Sequence, residues 1–597
     1  MKNRTDRPVT RRNGFAVVRL ILLAMVLLFA VGDVAAQGTA PADSSADNPV
    51  LTDPAVRRRA FYEDLKMLGD AYERLVNNYV DVLDPHEVMV GAIEGMLKEL
   101  DQHSNYLPPV NYEDLMTSTE GEFGGLGISI QVRDHYPTVV SPIEGTPAYY
   151  MGIQGGDQII EIEGQSSRDF TSNQAVELLR GAPGTKVNIT IERPGREDPI
   201  PLTITRDIIK LESVPYAFMM GDVGYIRIQN FARTTPQEVR DKLDMLTRDG
   251  MKGLILDLRF NPGGLLEAAK GVSELFLERG ELIVSTKGRL PSQDQKLISE
   301  ARGQIYDKVP LVVLVNGSSA SASEIVSAAI QDHDAGLVVG MTSFGKGSVQ
   351  TVFRLDEDEA LKLTTARYYT PSGRSIHKDR PRHPDIGDEQ GANAPALDSE
   401  PAEKEKPRFE KEKYYTDSGR VVYGGGGVTP DIEIDQDFLT DFEVAVERDG
   451  ALFSFAVDYV AKLDAIPENP VVDDATFRSF ETFLKDRENI EDYLGAFKLT
   501  MSDSLIEANR PFIERGIRRE VARRAHGAQA AYRVAIEADT QLHQALDLFK
   551  KAHTLPEMME LAKEWNAEQL ARHQAETAAA EADTTAEAKV AETGKAF

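Results

Sequence analysis

The stretch from residue 316 to residue 350 constrains the fold of this chain more than any other. An apolar run at residues 309–315 comes directly before it and predicts a buried strand. Small and branched residues at positions 325–330 then predict a helix packed closely on that strand. The serine-rich segment S-S-A-S-A-S at residues 318–323 therefore lies at a strand-to-helix turn.

Three known sequence patterns compete for this stretch. Ser321 and Glu324 have the spacing of a helix capping box. The segment G-M-T-S-F-G-K ending at Lys346 matches most of a phosphate-binding loop, but Gly347 stands where the metal-binding hydroxyl belongs. Ser343 and Lys346 have the S-x-x-K spacing of penicillin-recognising enzymes, yet the sequence contains no S-D-N or K-T-G partner. The last two patterns are incomplete, and the capping box remains open.

A fourth interpretation is a catalytic Ser/Lys dyad. A serine hydroxyl is a weak nucleophile, and a lysine can act as its base if burial keeps the amine neutral. Lowering a lysine pKa from about 10.4 to near 7 costs roughly 4 to 5 kcal/mol, so such a site must be apolar. Gly345 and Gly347 let the backbone close around Lys346. Phe344 can cover the amine, and Gln350 can hold it by a hydrogen bond.

Residues 319–325 read S-A-S-A-S-E-I, and residues 344–350 read F-G-K-G-S-V-Q. Both segments resemble the motifs of the carboxyl-terminal processing proteases, the tail-specific serine endopeptidases of peptidase family S41. The resemblance implies a ClpP/crotonase-like α/β core that needs no cofactor or metal. It also implies the site roles: nucleophile Ser321, general base Lys346, orienting residue Gln350, and Asp332 where some relatives carry a supporting aspartate.

Residues 116–208 have short strand patterns and many glycine turns, and they resemble a PDZ domain. The resemblance rests on the loop G-G-L-G-I at residues 124–128 and the turn G-G-D-x-I at residues 155–159. Residues 173–179 are expected to form the helix that lines the peptide groove. The domain is therefore expected to bind protein C-termini, and a purely structural spacer is the alternative.

The glycine loop of this domain is the expected carboxylate site. A loop with free backbone N–H groups can bind a terminal carboxylate, and the strand beside it can accept a peptide as an added strand. The residues assigned to the loop are Gly125, Leu126, Gly127 and Ile128.

A second glycine turn follows a predicted buried strand at residues 253–258 and reads R-F-N-P-G-G. It suits either an ordinary strand-to-helix turn or a turn that presents backbone N–H groups. Acyl transfer needs such donors at the developing negative oxygen. By resemblance the oxyanion hole is assigned to the N–H groups of Gly264 and Ala322, and the sequence leaves open which of Gly263 and Gly264 donates.

The N-terminus has the features of an export signal. Arginines precede an apolar run at residues 20–31, and V-A-A at residues 34–36 resembles a cleavage site. We therefore expect a signal peptide at residues 1–36 and a linker at 37–52, with an uncleaved membrane anchor as the alternative. Either outcome places the protein outside the cytoplasm, most simply in a bacterial periplasm.

Composition and periodicity define the remaining segments. They are an N-terminal helical region at residues 53–115, a protease core at 209–437 with a charged insert at 377–420, a C-terminal helical domain at 438–570 and a low-complexity tail at 571–597. The insert has little apolar content and is expected to be a mobile loop. His377 and His383 lie in it without a spaced ligand set, so no metal site is predicted there. The helical regions are candidates for a homodimer contact.

The net charge of −29 makes nucleic acid an improbable partner, and the absence of cysteine excludes thiol catalysis and disulfides. The sequence thus predicts a multidomain α/β serine endopeptidase that recognises apolar C-terminal tails of protein substrates. Two alternatives stay open: a non-catalytic PDZ scaffold and a ligand-binding protein on the same fold.

Overall fold

The computed structural model describes residues 54–196, 198–301, 306, 308–378, 411–463 and 470–593. The described residues divide into two compact units, with the boundary between residues 92 and 93. The predicted signal peptide and linker lie outside the described residues, as does most of the charged insert. Among the described residues, no helix combines the length and the apolar character that crossing a membrane requires.

The N-terminal region is largely helical, as predicted. Its helices are α1 (Pro54–Asn78) and α2 (Pro85–Lys98), and the Tyr72 hydroxyl donates to the carbonyl of Pro85 at 3.1 Å. The region also contains β1 (Asn105–Leu107) before α3 (Pro109–Glu120), which the helical prediction for residues 53–115 missed. This segment is extended because it adds a strand to a sheet whose partner lies far along the chain.

The region predicted as a PDZ domain is built from short antiparallel strands and two helices. Its elements are β2 (Glu122–Gly125), β3 (Ile128–Arg133), β4 (Tyr136–Pro142), α4 (Pro147–Tyr150), β5 (Gln158–Ile162), β6 (Gln165–Ser166), α5 (Ser172–Leu179), β7 (Lys186–Glu192), β8 (Ile200–Thr205) and β9 (Asp207–Lys210). The main sheet has the order β3-β4-β5-β7-β8, so β3 is an edge strand. An edge strand can pair with an incoming peptide, as the PDZ interpretation requires.

The region predicted as the protease core combines two large sheets and a separate two-stranded hairpin. Its elements are β10 (Tyr216–Met220), β11 (Val223–Arg227), α6 (Thr235–Arg248), β12 (Gly253–Asp257), α7 (Leu266–Ser273), β13 (Leu282–Gly288), a 3₁₀ turn (Pro291–Gln293), β14 (Gln295–Ile298), β15 (Leu311–Val315), α8 (Ala322–Asp332), β16 (Leu337–Gly340), β17 (Ser348–Arg354), β18 (Ala360–Tyr369), β19 (Lys413–Tyr415), β20 (Val421–Tyr423) and β21 (Ile432–Glu433). The predicted α/β architecture is confirmed.

The central sheet of the core has the order β10-β11-β12-β15-β16-β21 and is parallel from β11 onward. Every residue of β12 and β15 is buried, because helices cover both faces of a parallel sheet. The second sheet has the order β1-β18-β13-β14, with β17 paired antiparallel to β18. We call residues 341–347, between β16 and β17, the lysine loop. This loop leads into the second sheet, since β17 begins two residues after Lys346.

The end of the charged insert belongs to the folded core, which corrects the expectation of a mobile loop up to residue 420. β19 and β20 form an antiparallel hairpin. The Arg420 guanidinium is buried beside it and donates to Asp334 and Asp431, each at 2.6 Å. Its partners lie outside the insert, so the composition of the insert alone does not reveal this packing.

The C-terminal region is helical, as predicted. Its elements are α9 (Asp441–Asp449), α10 (Ala451–Val460), α11 (Asp474–Lys485), α12 (Ile490–Ala496), α13 (Asp503–Ala508), α14 (Arg510–Ala535), a 3₁₀ turn (Ile536–Ala538), α15 (Thr540–Lys551) and α16 (Leu555–Thr593). α16 extends into the segment predicted as a low-complexity tail. α14 bends at Gly527, whose φ is 80°.

The C-terminal helices pack on both the core and the PDZ region. Leu542, Leu548 and Met558 from α15 and α16 join one apolar cluster with residues of the central sheet, including Tyr225 and Val312. These helices therefore cover the face of the sheet opposite α6, α7 and α8.

Two arginines connect the same helical region to the PDZ strands. Arg524 of α14 donates to the carbonyl of Gly155, and Arg133 of β3 donates to the carbonyl of Gly450 at 3.1 Å. The C-terminal region thus contacts two parts of the molecule that the sequence treats as separate segments.

Candidate active site

Ser321 lies at the turn between β15 and α8, where the serine-rich segment was expected. Its backbone has φ 55° and ψ −110°, a conformation that non-glycine residues rarely adopt. Such a conformation costs about 1–3 kcal/mol and persists only where surrounding contacts hold it. Strained residues of this kind cluster at active sites, so the position of Ser321 fits a functional role.

The Glu324 carboxylate provides those contacts and is fully buried. Its Oε2 accepts the N–H of Ser321 at 2.8 Å and that of Lys346 at 2.9 Å. Its Oε1 accepts from the Ser343 hydroxyl at 2.5 Å and from Gly345 N–H at 2.7 Å. Burial raises the pKa of Glu324, while these four hydrogen bonds oppose the shift. One side chain therefore joins the serine turn to the lysine loop.

The Tyr368 hydroxyl makes a second connection between the same two segments. It donates to the carbonyl of Lys346, and the carbonyl of Ser321 lies 3.2 Å away. Tyr368 is buried in β18, and burial raises the pKa of its hydroxyl well above the usual value. Sequence analysis assigned Glu324 only as a capping residue and did not find Tyr368. Glu324 is the glutamate of the S-A-S-A-S-E-I motif, and its place in that motif is the signal that could have pointed to a role in the site.

The Lys346 side chain is half-buried beside this turn. Burial lowers the pKa of its amine, and the charge of Lys362 adds to that effect. The carboxylates of Glu324 and Asp101 act in the opposite direction but do not outweigh it. The environment therefore favours the neutral amine that a general base requires. Among the described residues, no hydrogen bond joins Ser321 Oγ to Lys346 Nζ.

Gln350 lies on β17 close to the lysine loop. Its Nε2 donates to Thr364 Oγ1 at 2.8 Å, so the amide is held by β18 rather than by Lys346. Its Oε1 is buried and accepts no hydrogen bond from the described residues. An amide oxygen in this state can accept a hydrogen bond from an amine, which is the role predicted for Gln350.

The glycine turn after β12 lies directly against Ser321. The N–H of Gly263 is occupied, because it donates to Asn261 Oδ1 at 2.8 Å. Within the described part of the chain, the N–H groups of Gly264 and Ala322 have no acceptor. A Cβ added at Gly263 would lie 2.7 Å from the Cβ of Ser321, so the close approach requires glycine. Two unused backbone donors are thus present beside the serine.

Asp332 does not join this site. It is the last residue of α8, roughly 15 Å along the helix from Ser321. Its carboxylate accepts from Arg374 at 2.8 Å, from the Thr370 hydroxyl at 2.6 Å and from the Ser372 N–H at 3.0 Å. Asp332 therefore lies away from the serine and the lysine. It anchors the turn T-P-S-G-R at residues 370–374 instead.

The glycine loop of the PDZ region has free donors. Gly125 ends β2 and Ile128 begins β3, and no described residue accepts the N–H of Leu126 or Gly127. Gly127 has φ 78°, and Thr146 fills the space that a Cβ would occupy there. The loop leads directly into the edge strand β3, so a peptide paired with β3 would bring its end to these donors.

Glu281, His333 and Asp417 form a cluster with the residue types and spacing of a metal site. The His333 Nε2 lies 2.8 Å from the carbonyl of Leu282, and its Nδ1 lies 2.8 Å from the Asp417 carboxylate. Both partners are acceptors, so this arrangement favours a ring with protons on both nitrogens. Burial lowers the pKa of His333, but these hydrogen bonds outweigh it and raise the pKa overall. The cluster is an ion pair in this arrangement.

Comparisons with known proteins identify the family of the chain. The model of peptidase family S41 matches residues 222–387, and that of the PDZ domain matches residues 138–193. The carboxy-terminal-processing protease of Bartonella bacilliformis is 45% identical over 320 residues, which cover 53% of this chain and 73% of that protein. The carboxyl-terminal-processing protease of Synechocystis sp. is 35% identical over 346 residues, covering 53% and 80%.

Among solved structures, the photosystem II D1 C-terminal processing protease is 29% identical, with a TM-score of 0.29, and the match covers 51% of this chain and 82% of that one. The sequence relatives and the family model support a protease over a non-catalytic scaffold or a ligand-binding protein. The chain therefore belongs to peptidase family S41, as a serine-type carboxy-terminal-processing protease with a PDZ domain.

Proposed function

We propose that this protease uses a Ser321/Lys346 dyad to cleave proteins whose apolar C-termini bind to its PDZ domain. The observation that carries the catalytic part is the paired connection through Glu324 and Tyr368. A carboxylate and a phenol, both buried, hold the backbones of Ser321 and Lys346 side by side. The tail-reading part is supported by the N–H groups next to β3 that no described residue accepts, and by the similarity of the chain to carboxy-terminal-processing proteases.

In the proposed reaction, neutral Lys346 Nζ accepts the proton of Ser321 Oγ as that oxygen attacks the scissile carbonyl. The C–N bond then breaks, and Lys346 returns the proton to the leaving amine. Water, deprotonated by the same amine, attacks the carbonyl carbon of the acyl-enzyme. The ester C–Oγ bond then breaks, and Lys346 gives the proton to Ser321 Oγ as the new C-terminus leaves. The N–H groups of Gly264 and Ala322 donate to the oxyanion in both tetrahedral intermediates.

Gln350 has a proposed orienting role. Gln350 Oε1 accepts a hydrogen bond from Lys346 Nζ and aims the amine at Ser321. This contact and the Ser321–Lys346 hydrogen bond form when substrate is bound, since catalytic hydrogen bonds are often long in free enzymes and tighten in complexes. Glu324 and Tyr368 already hold the backbone of Lys346, which leaves its side chain free to turn towards these partners.

Tail recognition predicts a dependence on the substrate's terminal carboxylate. One unstructured protein with an apolar tail is prepared with a free carboxylate, with a C-terminal amide, and with two aspartates at its end. We expect the amide to raise KM about tenfold to a hundredfold, because a charged hydrogen-bonded group contributes about 1.5–3 kcal/mol. The acidic tail should raise KM as well, and cleavage is followed by intact mass.

The free-carboxylate substrate incubated with Ser321→Ala serves as the control for contaminating proteases. Equal cleavage of all three tails by the wild type would show that the protease does not read C-termini. No cleavage of any of them would contradict the proposed substrate class instead.

We also propose that the protein acts outside the cytoplasm after export by residues 1–36, supported by the arginines and the apolar run of that segment. Expression in a bacterium should yield an exported protein that begins near residue 37. N-terminal sequencing of the membrane and periplasmic fractions measures this. An intact N-terminus confined to the membrane would favour the anchor, and an intact N-terminus in the cytoplasm would contradict export.

A further inference from the structure

A buried polar network lies beneath the glycine turn that carries the proposed oxyanion donor. We define the oxyanion loop as residues 259–264. Arg259 opens the loop and is 4% exposed, and Asp257 beside it is fully buried. The Arg259 Nε donates to Asp257 Oδ1 at 3.0 Å, and its Nη2 donates to Asp257 Oδ2 at 2.6 Å. These contacts lie within the segment that matches the family model.

The remaining Arg259 donors point to the C-terminal helical region. Nη1 donates to Asp539 Oδ1 and to Gln541 Oε1, each at 3.0 Å, and Nη2 donates to Asp539 Oδ2 at 2.7 Å. A guanidinium has five N–H donors, so three of the five end on residues of α15 or its N-cap. Asp539 and Gln541 lie beyond residues 222–387, the extent of the family match.

Both acceptors are themselves held in place. Asp539 is the N-cap of α15 and accepts the N–H of Leu542 at 2.9 Å. Gln541 is buried, and its Nε2 donates to the carbonyl of Ile434 at 2.7 Å. Tyr532 enters the same network, since its hydroxyl lies 2.6 Å from that of Tyr225, which donates to Asp257.

The oxyanion loop follows Arg259 directly, and its far end is also held by Phe231, whose N–H donates to the carbonyl of Gly263 at 2.9 Å. The N–H of Phe260 donates to Asn316 Oδ1 at 3.0 Å, and Phe260 has φ 60°. Gly264 follows four residues later with an N–H that no described residue accepts. A displacement of Arg259 reaches that donor by shifting residues 260–263, a short segment that begins at Phe260 with its positive φ. Misplacement by about 1 Å can cost 10²-fold in rate.

We propose that Asp539 and Gln541 are positioning residues for catalysis, which hold Arg259 so that the N–H of Gly264 stays aimed at the oxyanion. This inference rests on the proposed function, because it assigns a task to the C-terminal helical region within the same reaction. That region thereby becomes part of the active-site support as well as a cover for the sheet.

The test uses the full-length protein with Asp539→Asn. Asparagine is as good an N-cap as aspartate, so α15 stays capped while Arg259 loses one charged acceptor. We expect kcat to fall about tenfold or more, with KM within about twofold of wild type, because only an interaction of the transition state is weakened. The inhibition constant of a substrate-like peptide aldehyde should rise by the same factor, since its adduct places an oxygen in the oxyanion hole.

Asp547→Asn is the matched control, because Asp547 lies on the same helix in an exposed pair with Lys550. Gln541→Met, which removes one acceptor at similar volume, should show a smaller change of the same kind and carries the test if Asp539→Asn does not fold. Unchanged kcat and aldehyde inhibition, with only a lower unfolding temperature, would overturn the inference. Absence of cleavage by wild type and Asp547→Asn would instead contradict the proposed function.

Discussion

Protein carrying Ser321→Ala is expected to cleave the apolar-tailed substrate at least about 10⁵-fold more slowly than wild type. Ser321 Oγ is the proposed nucleophile, and without it the base has no hydroxyl to activate. The substitution removes one oxygen atom from a half-buried side chain and should leave the fold intact. Glu324 and Tyr368 bind the backbone of residue 321 rather than its side chain. Substrate binding should therefore persist while turnover is lost.

The measurement combines cleavage followed for many hours with covalent labelling by a fluorophosphonate. Ser318→Ala is the matched control, since Ser318 is an exposed serine of the same turn. Wild type and Ser318→Ala should be labelled and active, and Ser321→Ala neither. Residual labelling and turnover of Ser321→Ala at the wild-type rate would assign the nucleophile to another serine.

Protein carrying Lys346→Met is expected to lose about 10³-fold in kcat/KM, within the range that general base catalysis contributes. Lys346→Arg should be equally impaired, although it keeps the positive charge, because a guanidinium does not give up its proton in proteins. Comparing the two variants separates a base from a merely electrostatic role. Wild-type activity in Lys346→Arg would contradict a base at this position.

The lowered pKa of Lys346 also predicts the pH dependence of activity and stability. Only the neutral amine can accept the serine proton, so kcat/KM of the wild type should rise with pH through the lysine pKa. The unfolded chain binds the lysine proton up to the usual value of 10.5, whereas the folded protein releases it at lower pH. Stability attributable to this group therefore rises with pH between the two pKa values.

It follows that Lys346→Met should raise the unfolding temperature at neutral pH, and that this advantage should shrink as the pH approaches 10.5. Lys252→Met, at a surface lysine whose side chain is 77% exposed, is the control for loss of any positive charge. A flat kcat/KM profile between about pH 6 and about pH 9, with chemistry limiting, would argue against a titrating lysine. Equal unfolding temperatures at every pH would argue against its burial.

Local sequence was sufficient for several parts of the structure. The apolar run before Asn316 forms β15, because a short continuous apolar run is typical of a strand buried on both faces. The small-residue segment forms α8, a helix packed closely on the sheet. The glycine loop before β3 and the glycine turn after β12 were recognisable from the sequence. Each needs residues that tolerate a positive φ or a close approach of another chain segment. The PDZ and protease identities followed from such motifs.

Contacts between distant segments were not accessible in the same way. Asp332 is close in sequence to Ser321 but lies at the far end of a rigid helix, so its family position did not bring it to the site. Tyr368 lies 47 residues after Ser321 and reaches it only because β18 pairs beside the lysine loop. The hairpin at the end of the charged insert likewise depends on Asp431, whose contact with Arg420 no local pattern encodes.

By itself, the sequence determined the α/β class, the PDZ resemblance and the pairing of a serine turn with a glycine-flanked lysine, because these depend on residues within one element or one loop. Tertiary structure decided which groups support that pair. Glu324 and Tyr368 became its shared anchors, Asp332 was assigned elsewhere, and Asp539 and Gln541 were brought beneath the oxyanion loop. The physical reason is that buried polar groups must find partners wherever the packed sheets and helices bring donors and acceptors together.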